Sequence, residues 1–293
     1  MSSEPRAQIF DIRYRLDDGE RVGRGRAVWS FARWSGFRAL GLYRDWKAKV
    51  GPFAMIIAAL APAISVLGVR ALIAGETEVR LPTEIISYRA YAGIVGTAVL
   101  VFAAIVAPRL VCEDRSERVL PLYFSTAVGP REYVGAKLVA ALLPMLLVTT
   151  APALFLFAGN IIFAVEPLDY LFDNAADIGR ILIGGTSMAV YYATFALAIA
   201  SLTGRTAFAV AGFIGIMLGS GAVSGVVGAS LPDFDSAPAL ALSFVPIRVY
   251  ESVFPGGAAA DQGGPIGAHL VTFFLVIGIS IAVLANGYRR GEE

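Results

Sequence analysis

The side chains that most often perform chemistry are scarce in this sequence. His269 is the only histidine and Cys112 the only cysteine among its 293 residues. A histidine–cysteine metal cluster and a disulfide within these residues are therefore excluded. The patterns HExxH and GxSxG do not occur, and the usual zinc-protease and serine-hydrolase sites are excluded with them. We expect no catalytic residue and no metal site here, and a structural role for His269.

The run GPREYVGAKL, residues 129–138, comes closest to a phosphate-binding loop. Its two glycines stand one residue too far apart for that motif, and Leu138 takes the place of the serine or threonine that would bind Mg²⁺. No predicted strand precedes the run. We therefore expect no cofactor on this chain, and no nucleotide-hydrolysing enzyme.

A stretch between two long apolar runs combines charge with a compact apolar group. Its sequence is CEDRSERVLPLYFSTAVGPREYVGAK, residues 112–137. Pro121 suits the first turn of a short helix, because proline lacks the N–H that would go unpaired there. We refer to the apolar side chains around it as the apolar loop cluster, which consists of Val119, Leu120, Leu122, Tyr123 and Phe124.

Charged residues precede the apolar loop cluster and form a rim beside it. An exposed apolar patch with a charged rim usually marks a contact with another protein. We therefore predict that loop 109–137 docks a soluble partner, with the cluster inserted and the rim orienting the loop. The alternative is that the cluster folds back onto the membrane surface. The rim consists of Glu113, Asp114, Arg115, Glu117 and Arg118.

The elements that position this loop are predicted to be membrane spans. The sequence is 57% hydrophobic and only 16% charged, and a span needs roughly 20 apolar residues. Six charge-free runs meet or nearly meet that length, which predicts an all-α integral membrane protein with six transmembrane helices. The runs are residues 52–69, 90–108, 138–165, 181–204, 206–232 and 270–288.

Two further segments are predicted to lie at the membrane surface. Residues 236–247 are apolar, but they are too short to span and contain Pro238 and Pro246, which favours re-entrant helices. Residues 28–49 carry three tryptophans among basic side chains and favour an interfacial helix. Val28, Phe31, Leu42 and Trp46 would share its apolar arc, with Arg33, Arg44 and Lys47 opposite. A soluble helix is the alternative.

We divide the chain into two parts. Residues 1–50 would form a cytoplasmic arm and the interfacial helix. The arm has a candidate β-hairpin at residues 9–22, where Asp18-Gly19 is a turn signal, or else it is a disordered basic arm. Residues 51–293 would form the six-span domain with coupling loop 109–137.

The distribution of basic residues predicts the orientation. With both termini on one side, that side carries 19 of the 24 Lys and Arg residues and 12 acidic residues. The other side carries 5 basic and 11 acidic residues. Because basic loops remain in the cytoplasm, we expect both termini to be cytoplasmic.

Residues 212–230 contain two GxxxG pairs. Small residues four positions apart let helix backbones approach closely in lipid. The glycine pairs could pack within the chain, form a subunit interface, or line a mobile wall. The four glycines are Gly215, Gly219, Gly221 and Gly225.

The loop resembles the segment after the second span in ABC exporter permeases of the type-two class. In those permeases Pro-Leu stands where this chain has Ala127-Val128. The N-terminal stretch FDIRYRLDDGERVGR, together with WKAKVGP, resembles a bacterial subgroup of these permeases related to copper-enzyme maturation. The matching loop positions are Asp114-Arg115, Leu120-Pro121-Leu122-Tyr123, Ser125, Arg131, Tyr133, Gly135 and Lys137.

This resemblance implies the type-two ABC exporter fold in a bacterial inner membrane. It implies an interfacial connecting helix, a coupling helix in loop 109–137 and outer re-entrant helices between spans five and six. A second cytoplasmic contact would include Thr203, Gly204 and Arg205. It also implies a dimer of permeases, homomeric or heteromeric, on separate ATP-binding subunits that hold ATP and Mg²⁺.

Two other function classes stay open from the residues alone. One is a membrane anchor or scaffold for a cytoplasmic ATPase. The other is a self-contained channel or facilitator, for which flux through the purified chain alone would be the sign. With a net charge of +1, the chain has no general attraction to nucleic acid.

Overall fold

The computed structural model describes residues 23–76, 86–119, 123, 129–256 and 264–289. These residues are helical with short connections and contain no strand, so the predicted all-α class is confirmed for them. The candidate hairpin at 9–22 lies outside them. The elements are α1 Arg24–Ala39, α2 Trp46–Glu76, α3 Tyr88–Ser116, α4 Pro130–Thr149, α5 Ala151–Ile162, α6 Pro167–Asp173, α7 Ala175–Ser201, α8 Thr206–Ser230, a 3₁₀ turn Ala237–Leu240, α9 Val245–Ser252 and α10 Ile266–Arg289.

Six segments of the described chain are long and apolar enough to cross a membrane, as predicted. Helices α4 and α5 together form the third of them, Pro130–Ile162. The helix is interrupted at Thr150, two residues before Pro152, because proline cannot donate the helical hydrogen bond to the preceding turn. The other five are Trp46–Ile73, Tyr88–Ser116, Ala175–Ser201, Thr206–Ser230 and Ile266–Tyr288.

Helix α7 lies at the centre of the bundle. It packs against α3, α4, α9 and α10, and 67% of its most apolar 18-residue window is buried. Gly184 and Gly185 make room for neighbours. A methyl group at Gly184 would lie 2.7 Å from the Tyr250 ring, and one at Gly185 would overlap Thr150.

The predicted interfacial helix is shorter than the sequence suggested. Helix α1 ends at Ala39, and Gly41 then adopts a φ of +77°, a turn conformation that favours glycine. Leu42 and Trp46 therefore do not share an arc with Phe31, and that part of the prediction is wrong. Instead α1 packs on α4 through a stripe of small residues, Ala32, Ser35, Gly36 and Ala39.

Short, non-spanning helices lie between the fifth and sixth spans, as predicted. Tyr191 and Tyr192 of α7 donate hydrogen bonds to the carbonyls of Leu242 and Ser243. Ser220 Oγ of α8 accepts from the Leu242 N–H at 3.0 Å. The segment between the 3₁₀ turn and α9 is thereby fastened to two spans, which satisfies backbone groups that apolar surroundings would leave unpaired.

Candidate functional site

The predicted docking loop begins later than the charge pattern suggested, because α3 continues as far as Ser116. Glu113, Asp114 and Arg115 are therefore helical. The chain reverses at Arg118, whose φ of +54° is left-handed, and the Val119 N–H donates to the Asp114 carbonyl at 3.2 Å. Such a reversal is a common way to end a helix. We call the end of the bundle where α3 ends and α4 begins the loop end.

Asp114 lies at the centre of a buried ion cluster and not on the rim, so its predicted surface role is wrong. Its side chain is 0% exposed, because it continues the buried face of α3 formed by Ala107, Leu110 and Val111. It accepts hydrogen bonds from Arg38 Nη2 at 2.6 Å and from the Tyr133 hydroxyl at 2.9 Å. Lys137 Nζ lies 2.7 Å from Oδ2, the same carboxylate oxygen that accepts from Tyr133.

The cluster joins three helices at one point. Lys137 on α4 is 3% exposed and also donates to Ser35 Oγ of α1 at 3.3 Å. Its ammonium lies 5.0 Å from the Phe31 ring centre and 5.4 Å from that of Tyr133, close enough for cation–π attraction. Buried charges persist only where they are paired and hydrogen-bonded. The cluster therefore holds the end of α3, the start of α4 and the end of α1 together.

Arg38 and Tyr123 border the cluster, and their pKa values reflect it. Burial lowers the pKa of the Arg38 guanidinium, but the charge and hydrogen bond of Asp114, together with Tyr123 and Glu113, raise the pKa overall. Burial, followed by the charge of Asp114, raises the pKa of the Tyr123 hydroxyl. Both shifts keep Arg38 charged and Tyr123 neutral at neutral pH.

Arg115 turns away from the loop and contacts α7 and α10. Its guanidinium donates to the Ser201 carbonyl at the end of α7 and lies 5.2 Å from the Tyr288 ring centre. A cation at the carboxyl end of a helix is favourable because the last carbonyls lack helical partners. Arg115 therefore stabilises the junction of three spans, and the structure does not place it as a freely exposed rim charge.

The remaining rim charges lie at the surface, as predicted. Glu113 makes an ion pair with Arg44, and their side chains are 19% and 44% exposed. Glu117 and Arg118 are exposed.

The apolar loop cluster is only partly described. Leu120, Leu122 and Phe124 lie outside the described residues, and Val119 is half-buried. Tyr123 is half-buried, with its ring centre 5.0 Å from that of Phe31 and 6.2 Å from that of Tyr133. Tyr123 thus contacts α1 of its own chain, a role that the docking prediction did not include.

The second predicted contact lies beside the first. Cys112 Sγ lies 3.6 Å from the Ala200 carbonyl and 3.5 Å from the Thr203 carbonyl, so the end of α3 touches the turn between α7 and α8. Gly204 and Arg205 are exposed there, and Thr203 is half-buried. The sequence pattern assigned no role to Cys112 or to the side chain of Lys137. For Lys137 a sign was present, because Tyr133 and Lys137 are four residues apart and therefore share a helix face.

The four glycines of α8 have open space around their Cα atoms in the described chain. The sequence had left three roles open for them. A methyl group at Gly215, Gly219, Gly221 or Gly225 would meet nothing within 4 Å in the described chain. Among the described residues these four glycines therefore have no close packing partner, which does not favour packing within the chain. The buried residues of α8 are Ala209, Phe213 and Met217, a single stripe on its first half.

Comparison with known families gives one match. Residues 76–285 match the family model described as ABC-2 family transporter protein. The match extends from the last residue of α2 into α10 and covers well over half of the chain. No curated protein is significantly similar to the chain.

Proposed function

The chain belongs to the ABC-2 family of transporter proteins, and from this premise we propose that it is the membrane-spanning permease subunit of an ABC exporter. Separate ATP-binding subunits would hold ATP and Mg²⁺ and would drive substrate outward through a dimer of permeases. The proposal agrees with a sequence that contains a charged loop and no nucleotide-binding motif.

The observation that carries the proposal is the Asp114 cluster at the base of the loop. A force applied to the apolar loop cluster must pass into the spans through the end of α3 and the start of α4. Lys137 and Tyr133 bind Asp114 across these two helices, and Arg38 adds α1. A buried, fully hydrogen-bonded ion cluster resists separation because each charge is costly alone. The three helices would therefore move as one unit when the partner pushes.

The second contact would give the partner a hold on α7 and α8. Cys112 and Arg115 connect α3 to the end of α7 through the carbonyls of Thr203 and Ser201. A partner that binds both the loop and the exposed Gly204–Arg205 turn would span this junction. A rigid soluble ATPase that holds both the loop and this turn could tilt the spans on either side relative to each other.

We propose that the loop end faces the cytoplasm of a bacterial cell, with both termini on that side. The basis is the excess of basic residues on that side. Single cysteines at Gly204 and Asp235, both exposed, bracket α8 and test this in a Cys112→Ala background. A membrane-impermeant maleimide added to intact spheroplasts should label Asp235→Cys alone. Labelling of Gly204→Cys alone would invert the orientation.

The N-terminal segment that resembles permeases related to copper-enzyme maturation lies outside the residues matched by the family model. Membership of that subgroup therefore stays a prediction. The side of α8 away from its buried stripe carries the four glycines and is the proposed surface between two permeases. If the second permease is a copy of this chain, two differently tagged versions of the chain should co-purify.

The decisive experiment replaces the apolar loop cluster's aromatic residues. Co-expression with a candidate ATP-binding subunit should yield a complex in lipid nanodiscs whose ATPase rate rises with transported, lipophilic compounds. Tyr123→Ala/Phe124→Ala should weaken co-purification or uncouple ATP hydrolysis from transport, because interface aromatic anchors commonly contribute about 2 kcal/mol or more. Glu117→Ala is the matched control and should behave as the unmodified chain.

The outcomes separate the three function classes. Full binding and full transport in the double variant would exclude the loop as the coupling element. Binding without any transport by the unmodified complex would favour an anchor or scaffold. Flux through the purified chain without an ATPase would favour a channel or facilitator.

A further inference from the structure

A cleft at the loop end is the feature that the proposed exporter mechanism does not use. It lies between the first turns of α4 and the last turns of α10 and has a volume of about 240 Å³. Pockets for whole drug-sized ligands usually measure about 300–1,000 Å³, so this cleft has room for part of a larger molecule. Its lining consists of Pro130, Arg131, Val134, Ala285 and Tyr288.

The walls of the cleft are apolar and its edge is cationic. Val134, Ala285 and the Tyr288 ring provide the walls. Arg131 is exposed and makes no ion pair with any carboxylate in the described part of the chain. Both helices belong to candidate membrane spans, so the cleft opens where a span meets the membrane surface.

The charges around the cleft favour an anion. Arg115 lies behind the Tyr288 ring and has a carbonyl, not a carboxylate, as its polar partner among the described residues. Asp114 is already paired with Lys137 and Arg38. Glu132, which follows Arg131 in the sequence, folds its carboxylate back toward Gly129 at the start of α4. That carboxylate occupies the helix N-terminus, so the attraction for an anion comes from the arginines.

We propose that this cleft binds an anionic phospholipid of the leaflet that faces the loop end. The phosphate would pair with Arg131, and the glycerol and upper acyl chain would lie against Val134, Ala285 and Tyr288. Basic residues at a membrane boundary commonly recognise anionic headgroups, and each contributes roughly 1 kcal/mol. That this leaflet is the inner one rests on the orientation proposed above.

Native mass spectrometry of the purified chain tests the proposal without an ATPase, so its result does not depend on the exporter function. The chain would be titrated with phosphatidylglycerol and, separately, with zwitterionic phosphatidylethanolamine. Arg131→Gln should weaken phosphatidylglycerol binding about fivefold, the change that about 1 kcal/mol corresponds to, and should leave phosphatidylethanolamine binding unchanged. Ala285→Trp keeps every charge, fills the cleft and should cause a similar loss.

Two controls make the result decisive. Arg33→Gln removes an arginine on α1 that is also exposed and should retain phosphatidylglycerol binding. Glycerol phosphate, which carries the headgroup chemistry without acyl chains, should not displace the lipid at equal concentration. Equal binding by Arg131→Gln and the unmodified chain would overturn the proposal. Equal losses in Arg131→Gln and Arg33→Gln, or displacement by glycerol phosphate, would overturn it as well.

Discussion

Helices α7 and α8 follow each other in the chain and both carry glycines, yet their surroundings differ greatly. Of the most apolar window, 67% is buried in α7 and 11% in α8. Gly184 in α7 faces the Tyr250 ring at close range, whereas Gly219 in α8 faces open space. The same residue type thus serves tight packing in one helix and leaves an unoccupied surface in the next.

The contrast teaches that apolar composition does not distinguish an inner helix from an outer one in a membrane. Lipid tails are as apolar as leucine, so the hydrophobic effect does not drive spans together. The interior of this bundle is marked instead by groups that lipid cannot satisfy. Asp114, Lys137 and the hydroxyls of Tyr191 and Tyr192 all find their partners inside it.

The largest predicted effect comes from removing the charge at the centre of the packed region. Asp114→Asn should lower the free energy of unfolding by about 3–5 kcal/mol, because it leaves the buried Lys137 without a counter-ion. Thermal unfolding of the purified chain in detergent would measure the loss. Asp114→Leu/Lys137→Met removes both buried charges and should be more stable than either single variant. If the loss of stability in the double variant equals the sum of the losses in Asp114→Leu and Lys137→Met, the two residues act independently.

Overpacking of α7 should have the next largest effect. Gly184→Leu places a side chain where even a methyl group would lie 2.7 Å from the Tyr250 ring. Inserting such volume into a packed site typically costs about 1–3 kcal/mol. The same thermal measurement applies, and Gly184→Ala should lose less. Unchanged stability in Gly184→Leu would show that α9 can move away from α7 freely.

The sequence predicted the number of spans, the all-α class and the short helices between the last two spans. These features follow from run length, charge and proline, which act locally. The sequence did not predict where α3 ends, because a run of charged residues usually marks a loop. Asp114 stays in the helix since α4 and α1 supply its partners, and those partners are distant in the sequence.

The docking role of the loop stays a prediction, but the surface positions predicted for Asp114 and Arg115 are wrong. Glu113 and Asp114 are neighbours of the same charge, and only one of them is buried. The difference follows from helix geometry, because Asp114 shares a face with Leu110 and Val111 while Glu113 points toward Arg44. Recognising that would have required knowing that α3 extends to Ser116.

A smaller effect is expected from the surface pair beside the buried cluster. Arg44→Gln removes the partner of Glu113 at a position that is 44% exposed. Exposed ion pairs usually contribute about 0–1 kcal/mol, and salt screens them. Thermal unfolding at low and high salt should therefore show a small loss that disappears as the salt concentration rises. A loss as large as that of Asp114→Asn would place Glu113 in the buried cluster.

The smallest effect on the chain itself should come from Gly219→Leu, which is matched to Gly184→Leu in residue and helix type. A methyl group at Gly219 would meet nothing within 4 Å in the described chain, and leucine is the better helix former by up to about 1 kcal/mol. The thermal stability of the monomeric chain should stay equal or rise.

If α8 packs against a second permease, the leucine would separate the two helices, so light scattering should show that dimers become monomers. Dimers that persist in both Gly219→Leu and Gly225→Leu would mean that this face contacts lipid, and the contrast between α7 and α8 would then be one between protein and membrane. A loss of dimers with unchanged monomer stability would mean that α7 packs within one chain, whereas α8 packs only against a second chain.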